Sequence, residues 1–379
     1  MDFEPTEEQE TLRRVVREFA AAEITPHAAE WDRTGEFPLA TVRAMGELGL
    51  FGIPFAEEHG GAGSDLATFC VAVEEIARAD SSLAITLEAA VSLGATPIHH
   101  YGTDEQKRRW LPDLTAGRAL AAFGLTEPDA GSDAGATRTR ARLDGDEWVI
   151  DGAKSFITNS GTPITSLVTI TARTGDEGIS TILVPAGTSG LIVEPGYRKM
   201  GWRASDTHGI RLEECRVPAE NLLGDRGRGL SQFLAILDEG RVAVAAMSVG
   251  VAQACLDHAL AYAGERTAFG RPIGANQGVA FPLADLQVDV DASRLLTMRA
   301  AWLRDAGRPF HREAAQAKLF ASEAAVRATR TATQVFGGAG FMDDSPVARL
   351  YRDAKVLEIG EGTSEIQRLI IARSLGLPV

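Results

Sequence analysis

The sequence predicts an α+β chain: an N-terminal all-α domain (1–122), a middle antiparallel β domain (123–229) and a C-terminal four-helix-bundle-like α domain (230–379). Three observations predict this order. Apolar residues recur at helical spacing up to about residue 122, short apolar runs broken by turn residues replace them, and long apolar helical stretches return after Gly229. With 379 residues, 45% of them hydrophobic, the chain exceeds the size at which one core usually stops growing.

The first helix starts at Thr6, whose spacing to Gln9 is a capping-box pattern, and carries Leu12, Val15, Val16, Phe19 and Ala20 on one face. Further helices are predicted over 38–49, 65–79, 81–94 and 104–116, with Gly49, Gly94, Gly102 and Gly117 near their ends. The glycine-rich stretch 58–63 reads as a connection. In the middle region, runs at 148–150, 167–170, 181–184 and 210–212 predict strands, and Asp144-Gly145 predicts a hairpin turn. The stretch 230–263 is apolar over much of its circumference, as in a helix buried within a bundle or at a subunit interface. Helices over 276–305, 311–335, 345–357 and 364–374 follow.

Charge and composition exclude several classes. A net charge of -14 argues against nonspecific binding to nucleic acid or anionic membranes. Cys70, Cys215 and Cys255 are odd in number and widely spaced, which speaks for small core residues in a reducing compartment. The start, Met1-Asp2-Phe3-Glu4-Pro5, lacks a signal-peptide pattern and no apolar run approaches transmembrane length, so a soluble cytoplasmic protein is expected. No HExxH spacing occurs among the histidines, adjacent His99 and His100 would diverge on a helix, and no metal site is expected. Neither a GxGxxG nor a GxxxxGK[ST] nucleotide motif is present.

The chemistry-bearing feature is Glu361, set between Gly360 and Gly362 in a run from Glu358 to Arg368. Flanking glycines permit positive φ and close approach of another molecule. Thr363 or Ser364 can cap a final helix, so the carboxylate is held at a helix entrance.

The order of regions, with four separated motifs, resembles the acyl-CoA dehydrogenase family over essentially the whole chain. The first motif, Leu125-Thr126-Glu127-Pro128-Asp129-Ala130-Gly131-Ser132-Asp133, follows Phe123 and falls where the helical region passes into the β domain. In the family this segment lies along the flavin of FAD. The resemblance gives Phe123, Leu125, Thr126, Gly131 and Ser132 as cofactor contacts, with Ser132 also near substrate; amides and hydroxyls here can bond the pyrimidine edge of a flavin. The second, Lys154-Ser155-Phe156-Ile157-Thr158-Asn159, is similar to the other flavin strand. Phe156 replaces a common Trp and keeps an aromatic face, and Thr158 would reach the N5 edge.

The third motif, Glu265-Arg266-Thr267-Ala268-Phe269-Gly270 with Gln277, resembles the segment that reaches the FAD pyrophosphate and adenosine from a neighbouring subunit, a task suited to the planar fork of Arg266. Gln334, Gly337 and Gly338 resemble another part of that wall. A homotetramer with FAD sites shared between subunits is implied. In the fourth, Glu361 aligns with the catalytic base; Gly360 stands where many members have Tyr, Thr363 and Glu365 fall on the cofactor side, and Gly362, Arg241 and Arg373 on the substrate side or beside the base's charge. Some relatives place the base on the long helix at the position of Gly240; Glu239, one residue earlier, would point about 100° away.

The resemblance implies FAD-dependent α,β-dehydrogenation of an acyl-CoA to a trans-2-enoyl-CoA, as in fatty-acid β-oxidation. Glu361 would abstract the α-proton, the hydride would go to flavin N5, and electron-transfer flavoprotein would take the electrons. A free Glu, with a pKa of roughly 4.3, is a feeble base for carbon acids, so desolvation must raise its basicity. A flavin monooxygenase or nitroalkane-oxidising relative, or a flavin-free noncatalytic member, are the competing readings. The acyl group stays open: 83–99 would line the tail pocket, where Glu88 meets either a polar chain or solvent, and Arg198, Lys199 and Arg203 are candidates for CoA phosphates.

Overall fold

The computed structural model describes residues 4–379; Met1, Asp2 and Phe3, part of the N-terminal pattern read above, lie outside the described residues. The N-terminal helices are α1 (Glu7–Glu23), α2 (Ala28–Thr34), α3 (Leu39–Glu47), α4 (Leu66–Ala79), α5 (Ser81–Glu88), α6 (Thr96–Tyr101) and α7 (Asp104–Thr115). Capping boxes form at Thr6/Gln9 and again at Thr103/Gln106. The helix expected to end at residue 94 runs on: α5 passes through a π-helical segment, Ala89–Ala95, into α6. The resulting span, Ser81–Tyr101, is long and apolar enough to cross a membrane by composition, which corrects the expectation that no run approaches that length. It is a core helix here, 94% buried.

The middle strands are β1 (Leu120–Gly124), β2 (Arg140–Asp144), β3 (Glu147–Thr158), β4 (Thr165–Arg173), β5 (Ile179–Pro185), β6 (Leu191–Val193), β7 (Thr207–Pro218) and β8 (Leu222–Leu223). Their order is β6-β7-β3-β2-β4-β5-β8, with β1 beside β4. The long pairings β2/β3, β3/β7 and β4/β5 are antiparallel, and the Asp144-Gly145 turn closes the β2/β3 hairpin. The sheet is nevertheless mixed. β1 runs parallel to β4, and a long segment without strand separates it from β2. Trp148, Ile150, Ile170, Ile182, Val184 and Ile210 fill the core of this domain.

The C-terminal part consists of α8 (Gly229–Glu265), the small β9/β10 hairpin (Thr267–Ala268, Arg271–Pro272), α9 (Gln277–Asp305), α10 (His311–Phe336), α11 (Pro346–Ala354) and α12 (Ser364–Ser374). The all-round apolarity of α8 follows from its place, packed against α4, α9 and α10. Close approach needs small residues: a Cβ on Gly250 would sit 2.2 Å from the Glu74 carbonyl oxygen of α4. Alanines 314, 317, 321, 325, 328 and 332 give α10 a small buried face at helical spacing.

Polar contacts fix the parts relative to one another. Asp353 of α11 accepts from Ser81 Oγ at 2.7 Å and from the Trp202 amide at 2.8 Å, so all three regions meet at one buried carboxylate. Asp305 accepts from the Leu66 and Ala67 amides at 3.1 Å, tying the end of α9 to the start of α4. Within the β region, the Lys154 ammonium, fully buried, lies 2.8 Å from Glu127 Oε1 and also donates to the Thr171 hydroxyl and the Leu125 carbonyl. The Arg138 and Thr139 amides donate to the same carboxylate.

Replacing Glu127 by Ala strands a buried ammonium and two amides, so the unfolding free energy in urea should fall by roughly 3–5 kcal/mol. The pair Glu127→Leu/Lys154→Met should lose less than the single variant; a single-variant loss under about 1 kcal/mol would contradict this role.

Candidate active site

Glu361 lies between a 3₁₀ turn, Lys355–Glu358, and α12, with φ +52° followed by +94° at Gly362. Thr363 caps α12, its hydroxyl accepting from the Ile366 amide at 3.3 Å. These two left-handed residues turn the Glu361 side chain back onto α8. A Cβ on Gly240 would sit 2.2 Å from Glu361 Oε2, so the helix position named above as an alternative place for a base and the loop position of Glu361 converge on the same space.

Part of Glu361 reaches solvent, but both carboxylate oxygens are sealed and accept no hydrogen bond among the described residues. An ion in that state is costly, and burial raises its pKa from 4.5 to about 7; Glu88, Arg241 and Lys318 act in the opposite direction.

Glu88, at the end of α5 just before the π-helical segment, is fully buried. It faces Glu361 rather than solvent, and burial followed by the Glu361 charge holds its pKa well above the carboxylate range. The two carboxyls perturb each other, although no hydrogen bond of ordinary geometry joins them. Two such neighbours cannot both ionise near neutrality. The cations face Glu361, so Glu361 carries the charge and Glu88 the proton.

The backbone around Glu361 is anchored by buried donors. Arg241 Nε points at the Glu361 carbonyl at 3.4 Å, Gln367 Nε2 donates to the Glu361 and Gly362 carbonyls at 3.2 and 2.8 Å, and Lys318 Nζ donates to the Gly362 carbonyl at 2.8 Å. The expectation for Arg241 as support beside the base therefore has a geometry. Arg373 does not: it is exposed at the far end of α12 and donates to the Val379 carbonyl. Glu239 is held by His100 and Arg304 at 2.9 and 2.7 Å, away from any role as base. Lys318 and Gln367 were missed by sequence reasoning, although a lone lysine on the alanine face of α10 is a legible signal.

The flavin-like segments are joined directly, the Ser155 amide donating to the Thr126 carbonyl at 2.8 Å. Phe123 stacks on Phe233 of α8 at 3.8 Å, while Leu125, Thr126 and Thr158 are half-buried and Gly131 and Ser132 exposed. Phe156 has φ +62°, uncommon for an aromatic residue, at an irregularity in β3; its ring is 68% exposed beside Tyr197. An open aromatic face with hydroxyls alongside suits a flat heterocycle.

Arg266, Phe269, Gln277, Gln334, Gly337 and Gly338 are also exposed, at the opposite end of α8, where Tyr262 stacks on Phe336 at 4.2 Å. Along α8 that end lies roughly 37 Å from Gly240 at the usual helical rise. Glu365 is exposed in the first turn of α12. Of the phosphate candidates, Arg198 is exposed, Lys199 is turned inward to the Ser205 carbonyl and the Thr207 hydroxyl, and Arg203 leans toward Asp32. Lys199 is a structural contact.

The sequence matches the acyl-CoA dehydrogenase N-terminal, middle and C-terminal domain families over residues 6–118, 122–215 and 227–376. It is 53% identical to the probable acyl-CoA dehydrogenase YngJ of Bacillus subtilis (strain 168), covering 99% of this chain and 100% of that protein. Its fold is similar, with a TM-score of 0.97 and 41% identity over 99% of both chains, to a chain from the structural work on the electron transferring flavoprotein of Acidaminococcus fermentans. It is similar also to butyryl-CoA dehydrogenase from Megasphaera elsdenii, with a TM-score of 0.96 and 38% identity over 99% of this chain and 100% of that one. The chain belongs to the acyl-CoA dehydrogenase family, flavin-linked oxidoreductases that act on CH–CH bonds.

Proposed function

We propose that the protein removes two hydrogens across the α,β bond of an acyl-CoA, with FAD as cofactor and Glu361 as the base. The observation that carries this is the sealed carboxylate without a hydrogen-bond partner. A group poised near pH 7 combines adequate basicity with a substantial ionised fraction, which general base catalysis requires. The α-proton passes to a Glu361 carboxylate oxygen. Its own amide, which donates to nothing among the described residues, is free to polarise the thioester carbonyl. Bound FAD supplies the acceptor for the hydride leaving the β-carbon. The Leu125–Thr126 and Phe156–Thr158 segments would hold its ring, and the likeness to butyryl-CoA dehydrogenase supports a short acyl chain.

Two features support assembly with shared cofactor sites. The two groups of expected FAD contacts are too far apart along α8 to meet one dinucleotide within a single chain, so a second copy would bring them together. Phe281, Val288, Leu295 and Trp302 also form an exposed apolar stripe along α9, next to an open groove of about 370 Å³ lined by residues including Leu296, Phe320 and Ile371. We assign electron-transfer flavoprotein as the acceptor and the reducing cytoplasm as the location, which fits the free, buried Cys70, Cys215 and Cys255.

Glu361→Gln should retain FAD and lose anaerobic flavin bleaching by butyryl-CoA; normal bleaching would remove Glu361 from the scheme. In the wild-type protein the second-order bleaching rate should rise with pH through about 7, because a carboxyl whose pKa burial has raised must shed its proton to act as base. Glu88→Leu, which removes the neutral carboxyl beside it, should move that midpoint to higher pH, read by stopped-flow; an unmoved midpoint would contradict the paired arrangement. Arg266→Ala should weaken FAD retention at least tenfold in equilibrium dialysis, an effect of about 1.4 kcal/mol. Unchanged FAD retention would contradict a shared site.

A further inference from the structure

We propose that Lys318 is a positioning residue for the reaction: seated on the Gly362 carbonyl, it fixes the left-handed turn that aims the Glu361 carboxylate. This inference rests on Glu361 as the base. Lys318 is fully buried on the alanine face of α10, and its ammonium makes one hydrogen bond among the described residues, 2.8 Å to that carbonyl. A buried lysine is expensive unless it is paired, and an alkyl residue would pack as well among the alanines. Its presence calls for something that an apolar side chain cannot supply.

The turn has such a need. Glu361 and Gly362 both have positive φ, a conformation that is strained for a non-glycine residue and persists only where its surroundings impose it. The carboxylate itself accepts no hydrogen bond among the described residues. Its direction is therefore set by packing against Gly240 and Glu88 and by the backbone that carries it. The Glu361 and Gly362 carbonyls are met by Arg241 from α8, Lys318 from α10 and Gln367 from α12. Lys318 brings the donor from the helix that packs most extensively along α8, and so ties the turn to that helix pair. Because these donors engage carbonyls and leave the carboxylate bare, they orient the base without quenching it.

The ammonium also sets the local field. Around it stand Glu361, Arg241, Glu358 and Glu365, while Glu88 faces Glu361 from α5. Burial lowers the Lys318 pKa to about 8, so it is largely charged at neutral pH, and that charge favours ionised Glu361.

The test compares Lys318→Met, close in length but without donor or charge, with Lys318→Gln, which keeps a donor and loses the charge. FAD content, thermal midpoint, butyryl-CoA binding under anaerobic conditions, and the limiting rate of flavin bleaching are measured across pH, with Glu361→Gln alongside. At matched FAD content, Lys318→Met should lower the limiting rate by about a hundredfold, as expected for a base displaced by about 1 Å, with butyryl-CoA binding changed less than about threefold. Lys318→Gln should lower it about tenfold, and both should move the pH midpoint upward. A merely structural lysine would lower FAD content and the thermal midpoint and leave the rate per bound flavin and its pH profile unchanged. Should Lys318→Met fail to fold, Lys318→Gln decides: a rate within threefold of wild type with an unmoved pH profile overturns the proposal. Normal bleaching by Glu361→Gln would instead overturn the base assignment itself, so the two failures are distinguishable.

Discussion

A carboxylate that accepts no hydrogen bond among the described residues, sealed against a glycine of α8, is the constraint on which the site depends. Water or a partner would stabilise Glu361 as an ion and make it a poor base; dry surroundings without any cation would keep it protonated and make it no base at all. The protein sits between these limits. Burial raises the carboxyl, while Arg241 and Lys318 act on it through space and donate to the Glu361 and Gly362 carbonyls respectively. Glu88 shares the same solvent-excluded surroundings and keeps its proton because the cations act on Glu361.

Holding that arrangement requires three elements from the N- and C-terminal regions to keep their places. Gly240 comes from α8, Glu88 from the helix that runs on through the π-helical segment, and the loop of Glu361 from the far end of the chain. Asp353 joins Ser81 and Trp202, and the Asn159 side chain donates to the Thr86 carbonyl two residues before Glu88. The Glu127–Lys154 pair locks together the two segments that offer Phe156 and Thr126. Polar groups buried at junctions are weak sources of stability but strong sources of register, since a shifted packing leaves them unpaired.

The elements readable in advance were those with strong local signals: the Thr6/Gln9 cap, the Asp144-Gly145 turn, and the apolar periodicity of the long C-terminal helices. β1 was not, because a parallel partner distant in sequence leaves no local pattern, and its alanine-rich run resembles the helices before it. Within the site, Glu361 was legible from its flanking glycines. The burial of Glu88 was not, since a single Glu among apolar residues reads equally as a solvent-facing position. Arg373 was singled out for its proximity in sequence to Glu361, yet nearly the whole length of α12 separates the two. Lys318 carried a signal in its alanine surroundings, yet its partner is a backbone carbonyl that no side-chain pattern announces.

The most direct measurement follows the α-hydrogen itself. Butyryl-CoA deuterated at the α-carbon, mixed anaerobically with the flavin-loaded protein in ordinary water, should release deuterium to solvent in step with flavin bleaching, both slowed relative to the unlabelled substrate. The Glu361→Gln protein should show neither event while still binding the thioester. Release of deuterium by that variant at the wild-type rate would mean that another group takes the proton.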